Sequence, residues 1–340
     1  MEGDTVFSLD SHISVRVQTE LVQPTQESSF MCLSRFYRAF GALLIVFAML
    51  AGSPAAHAEN KAYTVTASDG VVLAVQETGD PAGPPVVLIH GLLGSRLNWE
   101  KQLQDPRLRH YRLITYDLRG HGLSGKPTDP DAYRDGRRWA DDLAAVIETT
   151  GAHKPVLVGW SLGGAVISNY LATHGDGDVA GAVYVDGVIE LKPDQITAHP
   201  EVYRDMTSTD LKTHLDGERA FLRLCFHEEP DATTFSRLLA NAALASWEMQ
   251  RAVPSMTVDA AEGLSKARIP LLLIYGEHDA LVMPGPSIAR AKAINPGIKS
   301  KLYAASGHAP FLEEPERFNR DLSAFVRAVT LPRAQTQGDN

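Results

Sequence analysis

The chain has 340 residues, 44% hydrophobic and 21% charged, an ordinary composition for a folded protein with a large core. Its formal net charge is -9, and no basic block or basic–aromatic interleaving occurs, which argues against nucleic acid as a partner. Its two cysteines, Cys32 and Cys225, are too few for a disulfide framework.

Residues 1–30 are polar without sustained period, and we read them as a non-native extension ahead of a true start at Met31. From Met31 the text has the grammar of a signal peptide. Arg35 and Arg38 give a positive start, Phe40 to Leu50 a short apolar core, and Ala56-His57-Ala58 a small-x-small cleavage site. The apolar run is too short for a comfortable membrane span. The expectation is cleavage before Glu59, export to the periplasm or medium, and no stable membrane insertion afterwards. Cys32 leaves with the signal, and Cys225, in the apolar run FLRLCF, reads as a buried, inert thiol.

Residues 59–340 read as one domain. Tyr63 to Gln76 reads as a hairpin around Asp69-Gly70. Six short, nearly continuous apolar runs follow at 85–91, 111–118, 155–161, 181–187, 270–276 and 299–306. Such runs mark strands buried on both faces, as parallel strands are. Helical patterns at 139–150, 162–173, 287–294 and 315–329 lie between or after them. The alternation predicts an α/β fold with a mostly parallel, doubly covered sheet. The stretch 188–267 has several amphipathic helical runs and no clear strand, so it reads as a helical cap over the sheet's C-terminal edge. The end from Pro332 is polar and reads as a frayed tail.

In VLVGWSLGGAVISNYL a β-branched run passes straight into a helical one, and Ser161 stands at the join. Such an elbow needs small residues two before and two after its apex, and Gly159 and Gly163 supply them. The helix start then aims free N–H groups at any charge developing near the serine. A serine hydroxyl needs a base to attack. His308, in SGHAPFLEEPERF after the last strand, would reach the same sheet edge, and Asp279, in GEHDALV after PLLLIYG, would orient it. Asp186, ending the strand in VYVDG, is the rival for that acid.

HGLLGS (90–95), DLRGHGLSGKP (117–127), GWSLGG (159–164), GEHDALV (276–282) and SGHAPFLEEPERF (306–318) occur in this order. Through them the chain from about Tyr63 to Val329 resembles the α/β-hydrolase superfamily, in its capped serine esterase and non-haem chloroperoxidase-like branch. The resemblance implies Ser161 as nucleophile, Asp279 as acid and His308 as base. It also implies an oxyanion hole formed by the backbone N–H groups of Leu92 and Leu162.

Other polar residues read as structural. Asp117, Arg119 and His121 would hold a compact loop, His90 would orient the oxyanion loop, and His278 is incidental. Asp141-Asp142 read as charges favourable to a helix start, and Glu313, Glu314 and Glu316 as a solvated face. Trp99, Trp160, Trp247, Phe221 and Phe226 are candidates for an apolar acyl pocket, with core packing as the plain alternative. His174, His214 and His227 lack ligand spacing, and no metal motif occurs, so no metal or cofactor is expected.

The expected function is a serine hydrolase that cleaves small to medium hydrophobic carboxylic esters through an acyl-serine. The alternatives are a cofactor-free haloperoxidase or perhydrolase, a C–C bond hydrolase with the same triad, and a ligand-binding receptor. Leu162 stands where many haloperoxidase-like relatives carry methionine. The expected partner is a small-molecule ester; the sequence says nothing of the oligomeric state.

Overall fold

A computed structural model describes residues 60–330. The expected extension (1–30), the signal peptide (31–58) and the tail from Pro332 lie outside the described residues.

Strands β1 (Lys61–Thr66) and β2 (Val72–Gly79) form the N-terminal hairpin, and β2 runs antiparallel to β4 (Arg112–Tyr116). β4 then pairs in parallel with β3 (Pro85–Ile89). From β3 the sheet continues in parallel through β5 (Val156–Trp160), β6 (Gly181–Val185), β7 (Leu271–Gly276) and β8 (Lys299–Tyr303). The order is β1-β2-β4-β3-β5-β6-β7-β8. Every residue of β5, β6 and β7 is buried, which is why these strands read as unbroken apolar runs.

The register decides where chemistry can occur. Ile89 lies beside Gly159, Trp160 beside Val185, Val185 beside Ile274, and Gly276 beside Tyr303. The loops that leave β3, β5, β6, β7 and β8 therefore emerge along one edge. Chain direction across the sheet reverses between β3 and β5, the switch point at which α/β sheets open a crevice.

Helices α1 (Gly136–Thr150) and α2 (Leu162–His174) follow β4 and β5. Asp135 caps α1 by accepting from the Arg137 N–H. Between β6 and β7 lie α3 (Pro200–Met206), α4 (Leu211–Leu224), α5 (Ala232–Ala242), α6 (Trp247–Ala252) and α7 (Ala260–Lys266). α3 packs on α4 and α4 on α5, whereas α7 packs on α2. So α7 belongs to the layer that covers the sheet, with α1, α2 and α8 (Pro284–Ile294), and the helical insert over the edge ends before it. Pro254 breaks the helical run between α6 and α7, but α7 carries the same helical pattern as the insert, so the 188–267 boundary drawn from the text runs one helix too far. The last helix, α9 (Pro315–Thr330), buries Phe318, Leu322 and Val326 along one stripe. Among the described residues no helix is long and apolar enough to cross a membrane.

Candidate active site

Ser161 sits between the last residue of β5 and the first of α2, with φ 52° and ψ -115°. A side chain rarely adopts that backbone conformation, and it persists only where the surroundings impose it. Here three backbone bonds do so. The Ser161 N–H donates to the Val185 carbonyl, and the Ser161 carbonyl accepts from Gly164 and Val188, each at 2.9 Å. The glycine spacing has a steric cause. A Cβ on Gly159 would lie 2.4 Å from the Gly163 carbonyl oxygen, and one on Gly163 would lie 2.6 Å from that of Ile89. As the first residue of α2, Leu162 has no helical carbonyl one turn behind it, so the helix leaves its N–H free.

His308 and Asp279 meet at the same edge. His308 Nδ1 lies 2.8 Å from Asp279 Oδ2, and both side chains are almost wholly buried. The other carboxyl oxygen of Asp279 accepts the N–H groups of Leu281 and Val282 at 2.8 and 3.0 Å. With three donors on one carboxylate, Asp279 is fixed in place and charge-stabilised. Ser161 and His308 are joined through Trp160, whose indole N–H donates to the His308 carbonyl at 2.6 Å.

Glu313 does not form part of a solvated face. One carboxylate oxygen accepts the Gly307 N–H at 2.8 Å and the other the His227 N–H at 2.7 Å, which pins the His308 loop to the helical insert. The signal for this is indirect: an irregular loop needs acceptors for its amides, and a nearby carboxylate supplies them.

Leu92 follows β3, directly across the switch point from Ser161. The intervening Gly91 allows close approach, since a Cβ there would lie 2.9 Å from the Ser161 Cβ. His90 braces this loop: its Nδ1 donates to the Gly91 carbonyl at 2.8 Å, and its Nε2 accepts the Leu118 N–H at 2.9 Å. Burial lowers its pKa to about 4. A neutral ring with both nitrogens engaged is a brace and not a base.

Ser161, Leu92 and Leu162 share a cavity of about 440 Å³. Its walls are almost entirely apolar, with Val188, Leu191, Ile196, Tyr203, Phe221 and Val253 from the insert and Leu281 and Val282 from the loop after β7. Of the aromatic candidates read from the sequence, only Phe221 lines it. Trp99 is buried against Phe311 and Phe318, and Trp247 stacks on His214. The stretch from Leu191 to Pro200 supplies much of the wall without carrying a motif.

Residues 84–315 match the family of the α/β-hydrolase fold. The chain belongs to this family. A crystal structure of a candidate aryl esterase from Burkholderia cenocepacia is 80% identical, with a TM-score of 0.79, over 79% of this chain and 99% of that one. Esterase RhEst1 from Rhodococcus sp. ECU1013 is 30% identical, with a TM-score of 0.71, over 79% and 99%. The bifunctional esterase/perhydrolase DCH of Acinetobacter calcoaceticus is 27% identical over 78% of this chain and 99% of its own length.

The hydrolase's remaining polar residues have other work. Asp117 accepts from the Arg96 backbone and guanidinium and from the Leu123 N–H. Arg119, buried, forms a two-pronged pair with Asp142, each contact 2.6 Å. Asp142 is thus a buried ion-pair partner and not a helix-start charge, and Asp141 pairs with His174. His278 stacks on His227 with ring centres 3.8 Å apart. Asp186 makes no hydrogen bond to His308; its carboxylate accepts the Gly276 N–H at 2.8 Å. Among the described residues, Asp186, Asp279 and His308 are the one group of His, Cys, Asp and Glu side chains close enough to consider for a metal. In it Asp279 and His308 are already committed to each other.

Proposed function

We propose that this hydrolase cleaves small to medium hydrophobic carboxylic esters through an acyl-serine intermediate. The observation that carries the reading is Ser161 on a strained elbow, opening into an apolar cavity beside the Asp279–His308 pair. In this mechanism His308 takes the Ser161 proton as Oγ attacks the ester carbonyl. Asp279 holds the ring with Nε2 toward the serine and stabilises the imidazolium. The Leu92 and Leu162 amides receive the oxyanion, each lowering the barrier by roughly 3 kcal/mol. His308 then protonates the departing alcohol and activates the water that releases the acid. No step calls for a metal or cofactor.

The cavity supports a largely apolar substrate because its lining is mostly apolar, and its two ionisable side chains are already engaged: Lys192 pairs with Glu190, and His199 Nε2 lies 2.7 Å from the Ala280 carbonyl. Perhydrolysis would follow if peroxide replaced water in the second half-reaction, as the name of the Acinetobacter relative suggests for that protein. The test is a panel of p-nitrophenyl esters of rising acyl length, with and without peroxide, for wild type, Ser161→Ala and Asp279→Asn. We expect ester turnover in wild type, background turnover in Ser161→Ala and a loss on the order of 10⁴ in kcat for Asp279→Asn. Equal rates in wild type and Ser161→Ala would sink the reading.

We further propose, from the sequence of residues 31–58 alone, that the protein is exported with cleavage before Glu59. Mass spectrometry of the exported protein tests this, and an N-terminus upstream of Glu59 rejects it.

A further inference from the structure

Asp186 is buried completely, directly behind the catalytic acid. It follows β6, and its backbone is held at φ 43°, outside the ordinary range for a side chain. Its N–H donates to the Ile274 carbonyl at 2.8 Å, and one carboxyl oxygen accepts the Gly276 N–H at 2.8 Å. The other oxygen, Oδ2, has no donor. One oxygen of Asp186, one of Asp279 and a ring nitrogen of His308 lie within 4.8 Å of one another.

An ionised Asp186 would leave a buried anionic oxygen bare beside a second carboxylate, which is costly twice over. The donors show where the charge belongs. Asp279 receives Leu281, Val282 and His308, whereas Asp186 receives Gly276 alone. A proton on Oδ2 turns the orphaned atom into a donor with a charged acceptor in reach.

We propose that Asp186 is a positioning residue for the hydrolytic centre: its carboxylic acid donates a hydrogen bond to Asp279, so the two carboxyls share one proton. The surroundings favour this state. Burial first, and the charge of Asp279 next, push the Asp186 carboxyl well above the usual range. The other titratable groups that bear on it are His308, Glu313, Cys225 and Tyr275, with no lysine or arginine among them. The consequence concerns His308. A single negative charge faces the imidazole, so it can release its proton to the leaving alcohol; two would hold that proton too tightly. This rests on the ester-hydrolysis reading for its kinetic effect, though not for the protonation itself.

The experiment compares wild type with Asp186→Asn, which keeps a neutral donor, and Asp186→Ala, which has none. The infrared difference spectrum of wild type minus Asp186→Asn should show the carbonyl stretch of a protonated carboxyl at neutral pH. In the pH profile of kcat/KM, the acidic limb set by His308 should stay in place in Asp186→Asn. In Asp186→Ala, kcat should fall by about tenfold with KM little changed, and Asp186→Asn should recover most of that loss. Absence of the infrared band, or an acidic limb lowered by about one unit or more in Asp186→Asn, would mean that Asp186 is ionised and overturns the proposal. Should wild type turn over no ester, the ester reading fails and the infrared band alone decides the state of Asp186.

Discussion

The indole N–H of Trp160 reaches the backbone carbonyl of His308 at 2.6 Å, so the residue before Ser161 holds the loop that carries the proposed base. The ring also packs against Phe311, with centres 5.0 Å apart, which keeps it from swinging away. Trp160→Phe retains an aromatic ring and deletes the donor, leaving a buried carbonyl unpaired. We expect kcat to fall about tenfold with little change in KM, the effect of one lost buried hydrogen bond acting on His308 placement. Steady-state kinetics on a short p-nitrophenyl ester measures this. Unchanged kcat would show that the tether does not position the base.

Phe221 closes the cavity from α4 and is itself almost fully buried. Phe221→Ala lengthens the space available to an apolar substrate. The ratio of kcat/KM for long over short acyl esters should rise by about tenfold or more, since one well-fitted methylene is worth that factor or better. An unchanged ratio would place the acyl chain against another wall.

The fold was legible because parallel strands and amphipathic helices carry different periods, and each apolar run from 85 to 306 became a strand. The placement of Ser161, Asp279 and His308 was legible because each sits just past a strand end, and the register brings those ends to one edge; their roles remain the proposal made above. What the text hid depended on distance in space. Glu313 looked solvated because its partners, Gly307 and His227, are set by packing, and His227 lies 86 residues away. Asp142 looked like a helix-start charge because its partner Arg119 comes from another loop. The cavity wall from Leu191 to Pro200 has no period to reveal it, since irregular segments are shaped by what they touch.

Arg119 is the structural hinge of the loop after β4. Its guanidinium contacts Asp142 and Asp69 and the carbonyls of Ala132 and Arg138. Arg119→Ala removes one half of a buried ion pair and leaves Asp142 charged or forced to take up a proton. We expect a loss of about 3–5 kcal/mol in unfolding free energy, measured by urea titration at pH 7.5. The rate per folded molecule on a short ester should change far less than the stability. A loss below about 1 kcal/mol would show that the pair contributes little.

His90 and His121 make acid stability measurable. Burial lowers His90 to about 4; burial, and then repulsion from His90, lowers His121 to about 3. In the unfolded chain both would titrate near 6.5. Above that pH both rings are neutral in either state, and they add no pH dependence. As pH falls below it, the unfolded chain binds protons that the folded protein refuses, so stability declines until the folded values are reached. By pH 4.5 each histidine should have cost about 2–3 kcal/mol relative to pH 7.5. His121 Nδ1 is 3.0 Å from the Arg119 carbonyl. His121→Asn keeps a donor near that position but does not titrate, so its stability should decline less steeply over the same interval. Urea titrations of both proteins at pH 7.5 and 4.5 give the two slopes. Equal slopes would mean that His121 already carries its proton when folded, or that it does not contribute to the acid loss.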